Sequence, residues 1–74
     1  MKAYIYVGKN LILPEFMLVR GVVYKGIKID NLISKYPLLT RILIPVEEYK
    51  FSDIAENKAF YDEIVNEIGG IKNV

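Results

Sequence analysis

Side chains that do covalent or proton chemistry are scarce in this chain. It has no histidine and no cysteine, and outside tyrosine its hydroxyls are Ser34, Thr40 and Ser52. A nucleophilic hydroxyl needs a base beside it, and the usual bases are missing. Ser52 opens a helical run and reads as an N-cap. Carboxylates come in adjacent pairs at Glu47–Glu48 and Asp62–Glu63. Acid–base work by two carboxylates needs a pocket that separates their pKa values. Sequence neighbours on a strand or helix instead point apart into solvent. Zinc, haem and iron–sulfur sites want His or Cys, and no loop has the acidic spacing of a calcium or magnesium site. The glycine pairs in GVVYKG and IGGIK match neither phosphate-cradling motif. The expectation is a chain that is not an enzyme, with no cofactor, metal or small-molecule substrate.

Two constellations remain. The first is electrostatic. The net charge is only +1, but it is unevenly spread. Residues 1–46 hold seven bases (Lys2, Lys9, Arg20, Lys25, Lys28, Lys35, Arg41) against two acids (Glu15, Asp30). Residues 47–67 hold two bases (Lys50, Lys58) against seven acids (Glu47, Glu48, Asp53, Glu56, Asp62, Glu63, Glu67), and Lys72 supplies the remaining charge. On a helical wheel Glu56, Glu63 and Glu67 share one edge. The Glu63–Glu67 repulsion costs an isolated helix a few tenths of a kcal/mol. A basic surface relieves it, either on the chain's own sheet or on a neighbouring molecule. A contact between two different patches is heterologous, and when repeated it closes a ring or grows a tube. The second constellation is Lys2, Tyr4, Tyr6, Arg20 and Tyr24, basic residues interleaved with rings. Small bent sheets use such platforms to stack single-stranded nucleic acid. Tyrosines on that face serve equally for a protein contact. The near-zero net charge and the seven late acids speak against nucleic acid.

The elements that must position these residues are short. KAYIYV alternates, with Ala3, Ile5 and Val7 expected inward and Lys2, Tyr4 and Tyr6 outward. GKN turns the chain into LILPEF, where Pro14 breaks a strand or marks an edge, and FMLV at 16–19 resumes it. VRGVVYKGIKID reads as a central strand, with Gly21 and Gly26 as points of sharp bending. Asp30 caps a brief helix near 30–36, which Pro37 ends. Leu39 and Ile42 to Ile44 form a late buried strand, whose pairing Pro45 stops. The period then changes. Phe60, Tyr61, Ile64, Val65 and Ile68 span about 140° of a helical wheel, an amphipathic stripe. That helix starts at Ser52, or at Asn57 as a second cap, and ends at Gly69–Gly70.

Along KAYIYV, VRGVVY, IDNLISKYP and TRILIPV the chain resembles small proteins encoded among bacteriophage head and tail genes. The shared pattern covers roughly residues 2–46: an opening strand, a basic-Gly pair leading an apolar strand, a short helix and a late strand. The resemblance implies an SH3-like barrel and a structural or assembly role. Arg20-Gly21, Val22, Val23 and Ile42 to Ile44 carry over as fold positions. The acidic C-terminal helix departs from the pattern.

At 74 residues the chain is one domain, with a β-rich body over 1–50 and the acidic helix over 52–69. The fold class is α+β: a small, strongly bent antiparallel sheet of four or five strands, a partly open SH3-like barrel, with the C-terminal helix packed on it. The chain is 53% hydrophobic, more than so small a core needs, and the surplus favours self-association. The expected function is a protein-interaction or assembly module, with Glu56, Glu63, Glu67, Tyr4 and Tyr6 in the contact. A nucleic-acid-binding domain or a regulatory module for a host protein is the alternative. No signal peptide or membrane span is apparent, so a cytoplasmic location, or the virion for a phage protein, is expected.

Overall fold

A computed structural model describes residues 2–69, with the side chains of residues 51–55 and 69 outside that description. The element order is β1 (Ala3–Tyr6), β2 (Leu11–Leu13), β3 (Phe16–Leu18), β4 (Val23–Lys25), α1 (Ile27–Lys35), β5 (Leu43–Pro45) and α2 (Phe51–Gly69). Short 3-10 turns at Pro37–Arg41 and Val46–Glu48 flank β5. The coarse class is α+β, as expected. The strands divide into two antiparallel sheets, β4-β1-β5 and the hairpin β2-β3, and do not close into a barrel.

The single bent sheet fails at Pro14. Pro14 and Glu15 are the two turn residues between Leu13 and Phe16, which are register partners. Proline's fixed φ suits the second position of a turn, so the chain reverses here instead of resuming a broken strand. The hairpin satisfies its own ladder, and β4 must find β1 directly. Val23 pairs with Ile5, Tyr24 with Tyr4 and Lys25 with Ala3. On the other side of β1, Leu43 pairs with Tyr6, Ile44 with Ile5 and Pro45 with Tyr4. The central strand is therefore β1. The glycine-bounded segment, expected to be central, is an edge. Pro45 is a strand residue as well: an edge strand leaves one side of its backbone unpaired, so a missing N–H is tolerated there.

Both helices also differ from their sequence-based bounds. α1 begins at Ile27, three residues before Asp30, and its cap is Gly26 at φ 119°, with no side-chain cap hydrogen bond. Gly26 lies in backbone space that L side chains rarely enter. Its carbonyl accepts from the N–H groups of Ile29 and Asp30 at 3.1 and 3.2 Å. Asp30 thus sits in the first turn, where a carboxylate favours the helix dipole. Residues 37–41, including Leu39, which was expected in the late strand, coil into a 3-10 turn with Pro37 at its start, and that strand shrinks to three residues. In α2 the helical backbone is interrupted at Asn57 (φ −118°, ψ 16°), dividing it at the second expected start. The Ser52 cap falls on a side chain outside the described residues, and Gly70 lies outside them too.

One core joins all of this. Tyr6, Val7, Leu18, Leu39 and Ile42 are fully buried, and Tyr61, Ile64, Val65 and Ile68 bring α2 onto them. Those four repeat at i, i+3, i+4 and i+7, the spacing of one helical face. Phe60, expected in the stripe, is 52% exposed.

Candidate functional site

Val7 is buried and Ile5 half-buried against the core, as expected, but the tyrosines expected outward are packed there too. Tyr6 lies opposite Leu43, and both are buried. Tyr4 and Tyr24 lie opposite one another on the same side and are half-buried against the core. The tyrosine face is thus an inner one. A phenol brings more area to a small core than alanine or isoleucine, provided its hydroxyl finds a partner. The Tyr6 hydroxyl donates to the Lys9 carbonyl at 2.6 Å. Burial pushes its phenol well above the usual tyrosine range. The Tyr24 hydroxyl accepts from the Val19 N–H at 2.9 Å, and its ring meets Phe16 edge-on with centroids 5.5 Å apart.

Arg20 is equally committed. Its Nε donates to the Val7 carbonyl at 3.0 Å, and its backbone N–H donates to Asn10 Oδ1 at 3.1 Å. Its terminal nitrogen donates to Asp62 on α2 as an ion pair, with both side chains about three-quarters buried. One guanidinium therefore ties the end of β1 to α2. Lys2 is exposed. Lys2, Tyr4, Tyr6, Arg20 and Tyr24 do not form one exposed basic-aromatic platform: one is buried, one is locked in an ion pair and two are half-buried.

The acidic edge has a different fate. Glu56, Glu63 and Glu67 are all exposed. The break at Asn57 separates Glu56 from the other two, so the shared edge reduces to Glu63 and Glu67. The basic body meets the helix through Asp62, which the wheel did not single out. Glu63 and Glu67 form no ion pair among the described residues. The hydroxyl and carboxylates weighed for chemistry hold simple places. Thr40 Oγ1 donates to the Pro37 carbonyl at 2.9 Å, and Glu47 and Glu48 are exposed on a 3-10 turn.

Three features were not singled out in the sequence. On the hairpin, Leu11, Leu13 and Leu18 face the core, while Ile12 and Met17 pair across the outer face at 68% and 55% exposure. On the three-stranded sheet Val23, Ile5 and Ile44 share a row, with Val23 at 53% exposure and the other two half-buried against the core. A period-2 reading of LILPEFML around a Pro-Glu turn would have placed Ile12 and Met17 together. The third feature is a cleft of about 270 Å³ between the hairpin and α1. Phe16 and Leu32 line it together with Glu15, Lys28, Asn31 and Lys35. Lys35 donates to Glu15 at 2.8 Å across its mouth. That bond holds the Glu15 carboxyl below the usual range and the Lys35 ammonium above it. Lys28 has no ion pair among the described residues.

No described helix is long and apolar enough to cross a membrane. No protein-family model, curated protein or solved structure matches the chain.

Proposed function

We propose that this chain is a non-enzymatic protein-interaction module that works as one part of a larger assembly. The supporting observation is the pairing of two exposed apolar side chains across the hairpin, Ile12 with Met17, and the exposure of Val23 at the edge of the three-stranded sheet. Single exposed apolar residues are ordinary on a protein surface. Adjacent ones on an outward sheet face are the kind of surface that a partner covers. The side chains available for chemistry are few, and several already bond elsewhere: Asp62 to Arg20, Glu15 to Lys35 and Thr40 to Pro37. The resemblance of residues 2–46, in sequence pattern, to small phage head and tail proteins favours a structural role within such an assembly.

The test is photo-cross-linking in the cells that make the protein, with a photoreactive residue at Met17 or Val23. Discrete adducts to protein are expected from both positions. Only unadducted chain, or adducts to nucleic acid, would overturn the reading.

A further inference from the structure

The cleft between the hairpin and α1 is small. At about 270 Å³ it falls below the roughly 300–1,000 Å³ of sites for drug-sized ligands. It suits one large apolar side chain. Its floor is Phe16 and Leu32, and Lys28, Asn31 and Lys35 stand along one face of α1 at i, i+3 and i+7. The rim carries two lysines against one glutamate, so a docking group that arrives with negative charge is favoured.

A group of that description stands exposed on α2. At 100° per residue, Phe60, Glu63 and Glu67 fall within an arc of about 60° on a continuous helix, and all three follow the break at Asn57. Phe60 is 52% exposed, and neither glutamate has an ion pair among the described residues. An aromatic ring beside two uncompensated carboxylates matches an apolar floor whose rim carries Lys28, without an ion pair among the described residues, beside the Lys35–Glu15 pair. We infer that the Phe60–Glu63–Glu67 face of one molecule docks in the Phe16–Leu32 cleft of a second copy, with Phe60 as the anchor, Lys28 as the counter-charge and Lys35 shared between Glu15 and the incoming carboxylates. This rests on the interaction reading above and names its partner as the chain itself. The two surfaces lie on different elements, so the contact is heterologous. Each copy keeps one cleft and one helix face open, and repetition closes a ring or extends a filament. Because the rim is solvated, salt weakens the contact.

Light scattering after size exclusion, from micromolar to millimolar chain and at low and high salt, tests it. At low salt the wild type is expected at no less than twice the 8.5 kDa of the chain, with the mass falling at high salt. Phe60→Ala, a change at an exposed site, should be monomeric with an unchanged thermal midpoint. Lys28→Glu/Lys35→Glu and Glu63→Lys/Glu67→Lys should each be monomeric alone and regain mass when mixed, because each then supplies the surface the other complements. A wild-type monomer at millimolar concentration would overturn self-docking, as would an oligomer unchanged by Phe60→Ala and by both charge reversals. Adducts to other proteins from Met17 or Val23 would then still stand for the broader interaction reading, so the two fail separately.

Discussion

Tyr6 is fully buried at the end of β1, with its hydroxyl on the Lys9 carbonyl. It alternates with Lys2 and Tyr4, and the presence of a lysine suggested a solvent face. The face is inner because Leu43 and α2 close over its far end. Lys2 lies just outside the strand, beyond the core, and so has no vote on the direction of the pleat. Burial also gives Tyr6 a titration signature. The unfolded phenol ionises near pH 10, while the folded one is held protonated well above that. The folded state therefore binds more protons than the unfolded state once the pH passes about 10, and stability falls with rising pH at about 1.4 kcal/mol per unit for this group. Tyr6→Phe removes that slope and loses the bond to the Lys9 carbonyl, worth about 1 kcal/mol at neutral pH. Urea titrations should show the variant less stable at pH 7, with the gap closing and the two curves crossing near pH 11. A gap that stays constant through pH 11 would mean that Tyr6 ionises freely in the folded protein.

At the scale of elements, α2 meets the turn between β1 and β2 at a place made for close approach. A Cβ on Gly8 would lie 2.6 Å from Val65 Cγ2 and 2.9 Å from the Tyr6 hydroxyl. Both neighbours are buried, so neither can swing aside without disturbing the core. Gly8→Ala is expected to cost about 1–3 kcal/mol in chemical denaturation. Val65→Ala vacates one of the two obstructing atoms, so the double variant should be less destabilised than the summed single losses, by about 1 kcal/mol. Strict additivity would show that the helix does not pack on Gly8. The apolar face of this helix was legible in the sequence, since Tyr61, Ile64, Val65 and Ile68 carry an unambiguous 3.6-residue period. The division at Asn57 was visible as a second cap residue. The hairpin was hidden because Pro14 signals both a strand break and a turn, and the short run around it does not choose. α1 was misplaced because IKID alternates like a strand. Its true start depends on a glycine conformation that no side chain announces.

For the whole molecule, the open question was whether a 53% hydrophobic composition goes into core or into contact. Part of it is core and part is exposed surface, and register separates the two. Leu11, Leu13 and Leu18 are on the core side of the hairpin, and Ile12 and Met17 are one residue out of phase with them. A one-residue step flips a strand side chain to the opposite face, so two sets of equally apolar residues meet different fates. The sequence could not assign them, because in LIL every position is apolar and the alternation is silent. The candidate surface was obscure for the same reason, and because its cleft joins Phe16 to Lys28 and Lys35 across separate elements. If the outer pair serves contact and not folding, polar replacement there leaves the fold intact. Ile12→Thr/Met17→Thr should change unfolding free energy by no more than about 0.5 kcal/mol per site, while Leu11→Ala or Leu18→Ala should lose about 2–5 kcal/mol. The same outer variant should bind less of an apolar-surface dye. A large stability loss on replacing Ile12 and Met17 would mean that the chain itself covers this face, and the apolar surplus would then belong to the core.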